Sequence, residues 1–273
     1  MLRARSIGVV ARPVALLLSV VLASCAAFTG VLAQTQPTAP QGAVRLEWLG
    51  HEFYRLTSPD GVVVLTSPWL TNADGPVDLE EVARTDVILV PNAHDDDMGN
   101  PIEVAAVSGA TVIAPGPLGR WLIDNGLNPS QFVRTNIGTG QSFNLRDTLI
   151  KVGPSAHDNT LPNGADGGPA ASYFVIFDNG MSVFYSGHAT MVADLAIYAS
   201  VYQPEIAILG LTEPPEFAQV ARLMAMNNPK LRTIIPSHIR PRAPILNQAR
   251  QELDRLGLGE LLFMPELRQV YEY

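Results

Sequence analysis

Short apolar runs and amphipathic stretches alternate along most of this chain, and their periods predict its elements. Val44–Trp48 alternates apolar and polar residues, and Phe53–Leu56 and Val62–Thr66 are short β-type runs. The turn residues Ser58-Pro59-Asp60-Gly61 separate the second run from the third, so the three read as an antiparallel meander. Val87–Val90 follows, then a helical pattern over Pro101–Ser108, the run Thr111–Ala114, a helix near Leu118–Asn125, and Gln131–Arg134. Leu149–Val152, Tyr173–Phe177 and Ser182–Tyr185 are further strands. The last two are joined by Asp178-Asn179-Gly180, whose Asn-Gly pair is a strong tight-hairpin signal. A helix over Met191–Ser200, the strand Ile206–Gly210, a helix over Pro215–Met226, the strand Thr233–Pro236 and a helix near Leu246–Leu256 complete the series. Strands first, then strands mixed with helices twice over, predict two sheets with helices outside: an α/β fold in layers.

The first 40 residues follow a different pattern. Arg3, Arg5 and Arg12 precede an almost wholly apolar stretch from Val14 to Ala27, which reads as a secretory signal rather than a membrane span. Two processing readings stand. Cleavage after Ala33 would leave residues 34–42 as a polar linker; Leu22-Ala23-Ser24-Cys25 resembles a bacterial lipobox, with Cys25 as the lipidated residue. Either sends residues 43–273 beyond the inner membrane, to a periplasmic or secreted address, with membrane contact only through an anchor at Cys25. Cys25 is the chain's one cysteine, so cleavage after Ala33 leaves neither a disulfide framework nor a thiolate ligand. The net charge of −8 argues against a broad nucleic-acid surface, which needs clustered Lys and Arg. The roughly 235 remaining residues suffice for one core, and no interior linker divides them.

Chemistry enters with the histidines. The chain has five, and four of them come at or just past the end of a predicted strand: His94 after Val87–Val90, His157 after Leu149–Val152, His188 after Ser182–Tyr185, and His238 after Thr233–Pro236. Loops gather at strand ends, and ligands bind there. Imidazoles recurring in that register point to one metal centre.

These segments, with Trp48-Leu49-Gly50-His51 and Leu65-Thr66-Ser67-Pro68-Trp69-Leu70, resemble the metallo-β-lactamase superfamily, and within it the ascorbate-6-phosphate lactonase-like metal-dependent hydrolases. The resemblance runs from about residue 44 to the C-terminus. It implies a four-layer αββα sandwich with metal held at one edge between the sheets. The family motif His-x-His-x-Asp-His is matched here by Asn92, His94, Asp96 and Asp97, so its first and last histidines are replaced. His157 and His238 match the family's two later histidines. His188 stands where the family has a metal-bridging aspartate, and Ser67 stands in place of another aspartate.

By that resemblance, one pocket would take His94 and His157 with a weak amide oxygen from Asn92. A second would take Asp96, His238, His188 and, if its arm reaches, Asp97. Imidazoles with one or two carboxylates suit zinc first, then iron or manganese, as one or two ions. An amide competes poorly with water for a divalent cation, so the second pocket should bind more tightly. Asp96 or Asp97, whichever is not tightly ligated, would orient or deprotonate the attacking water. His51 is read as a group beside the ligands or the substrate, Asp158 as a loop residue, and Pro162–Pro169 as a loop edging the substrate entrance. The expected function is an exported metal-dependent hydrolase acting on a small-molecule lactone, ester, amide or phosphodiester. The competing expectation is a scaffold that has lost turnover and binds a ligand or partner.

Overall fold

A computed structural model describes residues 42–136, 142–188, 191–241 and 243–273. The secretory signal, the lipidation site at Cys25 and nearly all of the linker lie outside the described residues. The described residues all fall in one compact unit.

Two sheets carry the fold. The first contains β1 (Arg45–Gly50), β2 (Phe53–Thr57), β3 (Val63–Thr66), β4 (Val87–Leu89), β5 (Thr111–Pro115) and β6 (Phe132–Thr135) in sequential order, with β13 (Val270–Glu272) outside β1. Strands β1 to β3 are antiparallel, and β3 to β6 are parallel. The second sheet runs from β7 (Ser142–Leu145) through β8 (Thr148–Pro154), β9 (Ala171–Phe177), β10 (Ser182–Tyr185) and β11 (Ile206–Gly210) to β12 (Thr233–Ser237). Here β10, β11 and β12 are parallel.

The helices form the outer layers. Short α1 (Asp95–Met98) leads into α2 (Pro101–Ser108), and α3 (Gly116–Asp124) follows β5; a second apolar cluster joins Leu65, Ile88 and Val112 of the first sheet to Val104, Leu118 and Leu122 of α2 and α3. On the second sheet lie α4 (Asp194–Tyr202), α5 (Pro214–Asn227) and α6 (Ile245–Arg255). Pro101 starts α2 and a left-handed Gly109 ends it, the usual asymmetry of helix ends. The layers are those expected, αββα.

The main core lies between the sheets, where Leu46, Leu56 and Val64 of the first sheet face Tyr173, Val175 and Val183 of the second. Two buried tyrosines tie the sheets together across it. Tyr54 Oη donates to Pro236 O (3.1 Å), and Tyr173 Oη donates to Val90 O (2.7 Å). Both carbonyls lie at or just beyond the C-terminal ends of parallel strands, so these bonds fix the separation of the edge that carries the histidines. The predicted hairpin is present: Phe177 and Met181 pair around a three-residue loop in which Gly180 takes the left-handed conformation. The pattern missed β7 and β13. Each is a short edge strand with only one or two apolar positions, too few for a period to emerge.

Candidate metal centre

Parallel strands deliver the histidines. β4, β10 and β12 all end at one rim, and the chain turns there into loops bearing His94, His188 and His238. His157 arrives from the loop after β8. That loop is clamped to the His94 segment by Asn159, whose Oδ1 accepts from Ala93 N (2.8 Å) while its Nδ2 donates to Gly168 O (2.9 Å). His51 occupies the turn between β1 and β2, held by Trp48 Nε1 donating to its carbonyl (3.0 Å). His51 and His238 both have positive φ, 54° and 59°. Such backbone costs an L-residue stability and concentrates at functional sites. Gly99, which ends α1, has φ 68°, and a β-carbon there would lie 2.5 Å from the Pro68 carbonyl carbon. Only glycine closes the turn that sets Asp96 and Asp97.

All five imidazoles form one contiguous chain. Ring centroids lie 4.9 Å apart for His94–His157, 4.1 Å for His157–His188, 4.2 Å for His188–His238 and 4.3 Å for His238–His51. Two carboxylates run beneath them. Asp97 is fully buried; its Oδ2 lies 3.7 Å from His188 Nδ1, 3.9 Å from His94 Nδ1 and 4.0 Å from His157 Nε2. Asp96 is 34% exposed, and its Oδ2 lies 3.2 Å from His238 Nε2 and 3.6 Å from His51 Nε2. Three overlapping donor groups result, each with ligand atoms within 4.8 Å of one another: His94–Asp97–His157, Asp97–His188–His238 and His51–Asp96–His238.

The partition differs from the expected one in three respects. Asn92 spends its amide on the protein, Nδ2 donating to Asp97 Oδ2 (2.8 Å) and Oδ1 accepting from His94 N (2.9 Å), so it steadies Asp97 instead of standing among the donors. Asp97, expected at the margin of one pocket, belongs to two groups. His51, placed beside the ligands by sequence, shares a group with Asp96 and His238. Asp158 also has a partner in the centre. Its Oδ2 lies 3.2 Å from His94 Nε2, which leaves His94 Nδ1 to face inward. Pro162–Pro169 is a turned loop, exposed over Pro162–Asp166, and Gly167 N donates to Asn159 O (2.6 Å).

Nothing in the local residue pattern pointed to Glu52. This side chain is fully buried, and Tyr185 Oη donates to its Oε2 (2.7 Å). Tyr185 in turn lies 2.7 Å from Ser67 Oγ, whose hydroxyl reaches the Asp97 carbonyl. As two carboxylates, Glu52 Oε1 and Asp97 Oδ1 would each be buried without a donor. A proton on Glu52, donated to Asp97, satisfies both. Burial first, then the Asp97 charge, pushes the Glu52 carboxyl well above the usual carboxylate range. Burial works against ionised Asp97 as well, but polar contacts from His188, Glu52 and Asn92 outweigh it and hold that carboxyl far below its ordinary value. One carboxyl of the pair is neutral and the other is charged.

The residues fit a divalent cation. His94 Nδ1 and His157 Nε2 face each other at 3.2 Å, a contact that two lone pairs cannot make without a proton or cation between them. Two ionised aspartates carry two negative charges, which one dication balances. Burial and neighbouring imidazoles hold His51 and His157 down to about 4, so both are neutral and able to coordinate near pH 7.

Those two shifts set a pH dependence for metal-free protein. Between about 4 and 6.5 the unfolded chain binds more protons at His51 and His157 than the folded chain does, so their contribution to stability is complete above pH 6.5 and lost as pH falls towards 4. Glu52 opposes this in part, because the folded chain keeps a proton there that the unfolded chain has released above its ordinary value of 4.5. His238, lowered by burial but raised further by the Asp96 contact and the two carboxylate charges, acts only above 6.5. At about 1.4 kcal/mol per unit, discounted for water reaching the rim, the net loss should be roughly 1–3 kcal/mol. Thermal midpoints measured in chelator across that range should fall on acidification, and less so in His157→Gln. A midpoint that holds or climbs as pH drops would contradict the burial argument.

Comparison with known proteins places this arrangement. A family model described as the beta-lactamase superfamily domain matches residues 45–238, nearly the whole span from β1 to His238. A UPF0173 metal-dependent hydrolase of Thermodesulfovibrio yellowstonii is 29% identical over 236 residues, covering 80% of this chain and 86% of that protein. Among solved structures, Igni18, a metallo hydrolase of Ignicoccus hospitalis, superposes with a TM-score of 0.69 at 20% identity, over 85% of this chain and 98% of that one. YhfI of Bacillus subtilis, a metallo-beta-lactamase fold protein, gives 0.61 at 12% identity, over 85% and 100%. Likeness at these identities speaks to the fold.

Proposed function

The chain belongs to the beta-lactamase superfamily domain family, and on that premise we propose that it is a metal-dependent hydrolase of small molecules carrying a lactone, ester, amide or phosphodiester bond. The observation that carries the reading is the meeting of five imidazoles and two aspartates, from segments as distant as residues 51 and 238, in three overlapping donor groups. Zinc suits this nitrogen-rich set best, with iron or manganese as alternatives. When bound, a divalent cation supplies Lewis acidity to the substrate oxygen and lowers the pKa of water.

The chain's own groups divide the remaining work. Asp97, buried and ionised, would hold the cation, with Asn92 and protonated Glu52 holding Asp97. Asp158 fixes His94 so that Nδ1 faces inward. Asp96 is the carboxylate open to solvent, and it can orient a water against the scissile bond. The contact with His238 holds the Asp96 carboxyl below its usual range, which makes it a weak proton acceptor and assigns it orientation above proton removal. Residues 1–33, with a basic start and an apolar stretch, support an exported site of action.

Elemental analysis of protein purified without a His-tag should find near one metal per chain, and none in His238→Ala. Turnover of at least one substrate among aryl esters, lactones, amides and phosphodiesters should vanish with the metal. A wild-type protein without metal, or a metallated one inert on all four classes, would favour a ligand-binding scaffold.

A further inference from the structure

The far end of the first sheet, opposite the histidine rim, carries a second concave feature. The outer apolar layer covers β3 to β5 and, at the rim end, Leu49 of β1 and Phe53 of β2, and stops short of Arg45–Glu47 and Arg55–Thr57. By register, Arg45 lies opposite Thr57 and Glu47 opposite Arg55, so these four share the outward face that the helices leave bare. Leu46 and Leu56 point the other way into the inter-sheet core. The 3-10 helix Leu79–Val82, the Arg84–Asp86 connection and the Arg146 turn between β7 and β8 close the sides. The result is a cleft of about 510 Å³ lined by Arg45, Arg55, Arg84 and Arg146.

Four arginines in one cleft stand out in a chain of net charge −8. The acids beside them are already engaged. Glu81 Oε2 pairs with Arg268 (2.8 Å) and its Oε1 accepts from Asp78 N (3.1 Å). Asp86 Oδ2 accepts from Val63 N (2.8 Å) and lies 3.5 Å from Arg146. Arg55 is held by Glu47 (2.7 Å) and by the Glu81 carbonyl (2.9 Å). Arg45 and Arg84 are exposed, and among the described residues neither has an acidic partner. Arginine forks match tetrahedral oxyanions, presenting two parallel donors to two oxygens. The cleft therefore holds two uncommitted forks, Arg45 on the sheet face and Arg84 on the connection beside it, and two anchored ones.

We propose that this cleft is a binding site for a phosphate-type oxyanion, separate from the metal centre, with Arg45 and Arg84 as the capturing residues. The anion is either a free phosphate group on a soluble molecule or the headgroup phosphate of an anionic lipid; the recognition chemistry is the same. The site does not depend on the hydrolase reading, because it shares no residue with the histidine rim.

The test compares wild type with Arg45→Gln/Arg84→Gln, both retaining the metal centre, so any phosphate held there is common to both. Titration calorimetry with inorganic phosphate and pyrophosphate, and flotation with phosphatidylglycerol against phosphatidylcholine vesicles, separate the two sources. The expected result is an affinity reduced by about tenfold or more in the double variant, since it removes the charge-assisted forks of both capturing residues. Arg45→Lys/Arg84→Lys, which keeps charge without the fork, should fall between the two. Loss of phosphate or pyrophosphate binding identifies a soluble ligand; loss confined to phosphatidylglycerol vesicles identifies the lipid. Equal behaviour of wild type and the double variant in both assays, with unchanged thermal midpoints, overturns the proposal.

Discussion

Replacing Asp97 with alanine should strip the centre of metal more completely than any other single carboxylate change. Asp97 is the one carboxylate that belongs to two of the three donor groups, and its side chain is wholly buried. Changes to residues that only support a ligand cost metal proteins about 10–100-fold in affinity. Loss of a donor shared by two groups should cost more, on the order of 10³ by extension of that range. Asp96→Ala removes a donor from one group only and should weaken binding less. Asn92→Ala, acting through its hydrogen bond to Asp97, should do least. Metal titrations with a competing chelator would give the ranking. If Asn92→Ala matched Asp97→Ala, the amide would be a donor in its own right and the assignment of Asp97 as the shared ligand would fail.

Glu52 should give the second large effect, and the contrast between two substitutions carries the information. In Glu52→Gln the amide can still donate to Asp97 Oδ1 while its oxygen accepts from Tyr185, so stability and metal retention should stay near wild type. In Glu52→Ala both partners are left buried without their bond, above a new cavity. The two penalties together should cost about 2–5 kcal/mol in unfolding free energy. Metal affinity should fall with them, because Asp97 loses a contact that holds it in place. Denaturant melts of metal-free protein separate the structural part from the metal part. Were Glu52 an ionised ligand, glutamine would be as damaging as alanine; that result would sink the neutral-donor role.

These expectations rest on features that differed in how far the chain displayed them. Val87–Val90, Ser182–Tyr185 and Thr233–Pro236 announced themselves as strands through local apolar runs, and each handed a histidine to the position just beyond its end. The rim was legible within each sheet because parallel strands end on one side, which groups His188 with His238; the packing of the two sheets brings His94, after β4, to the same edge. Asn92 was harder. Its place in the motif suggested a ligand, yet its amide turned to Asp97 and the His94 backbone once α1 had closed at Gly99. Glu52 was invisible, because an acid just after a Gly-His turn looks like any solvated residue. Tyr185, 133 positions later, must be folded against it before its burial and proton make sense. The arginine cleft is of the same kind, since Arg45, Arg84 and Arg146 share no local pattern.

The sequence by itself determined the layers, the hairpin at Asn179-Gly180 and the histidines at strand ends, because periods of two and 3.6 and strand-end positions are properties of neighbouring residues. Only the tertiary structure decided which atoms face one another: that Asp97 is the shared donor, that His51 joins Asp96 and His238, and that one carboxyl of a buried pair keeps its proton. Those outcomes depend on separations of a few ångströms between segments far apart in the chain, and on the loss of water around them. No local pattern encodes either quantity.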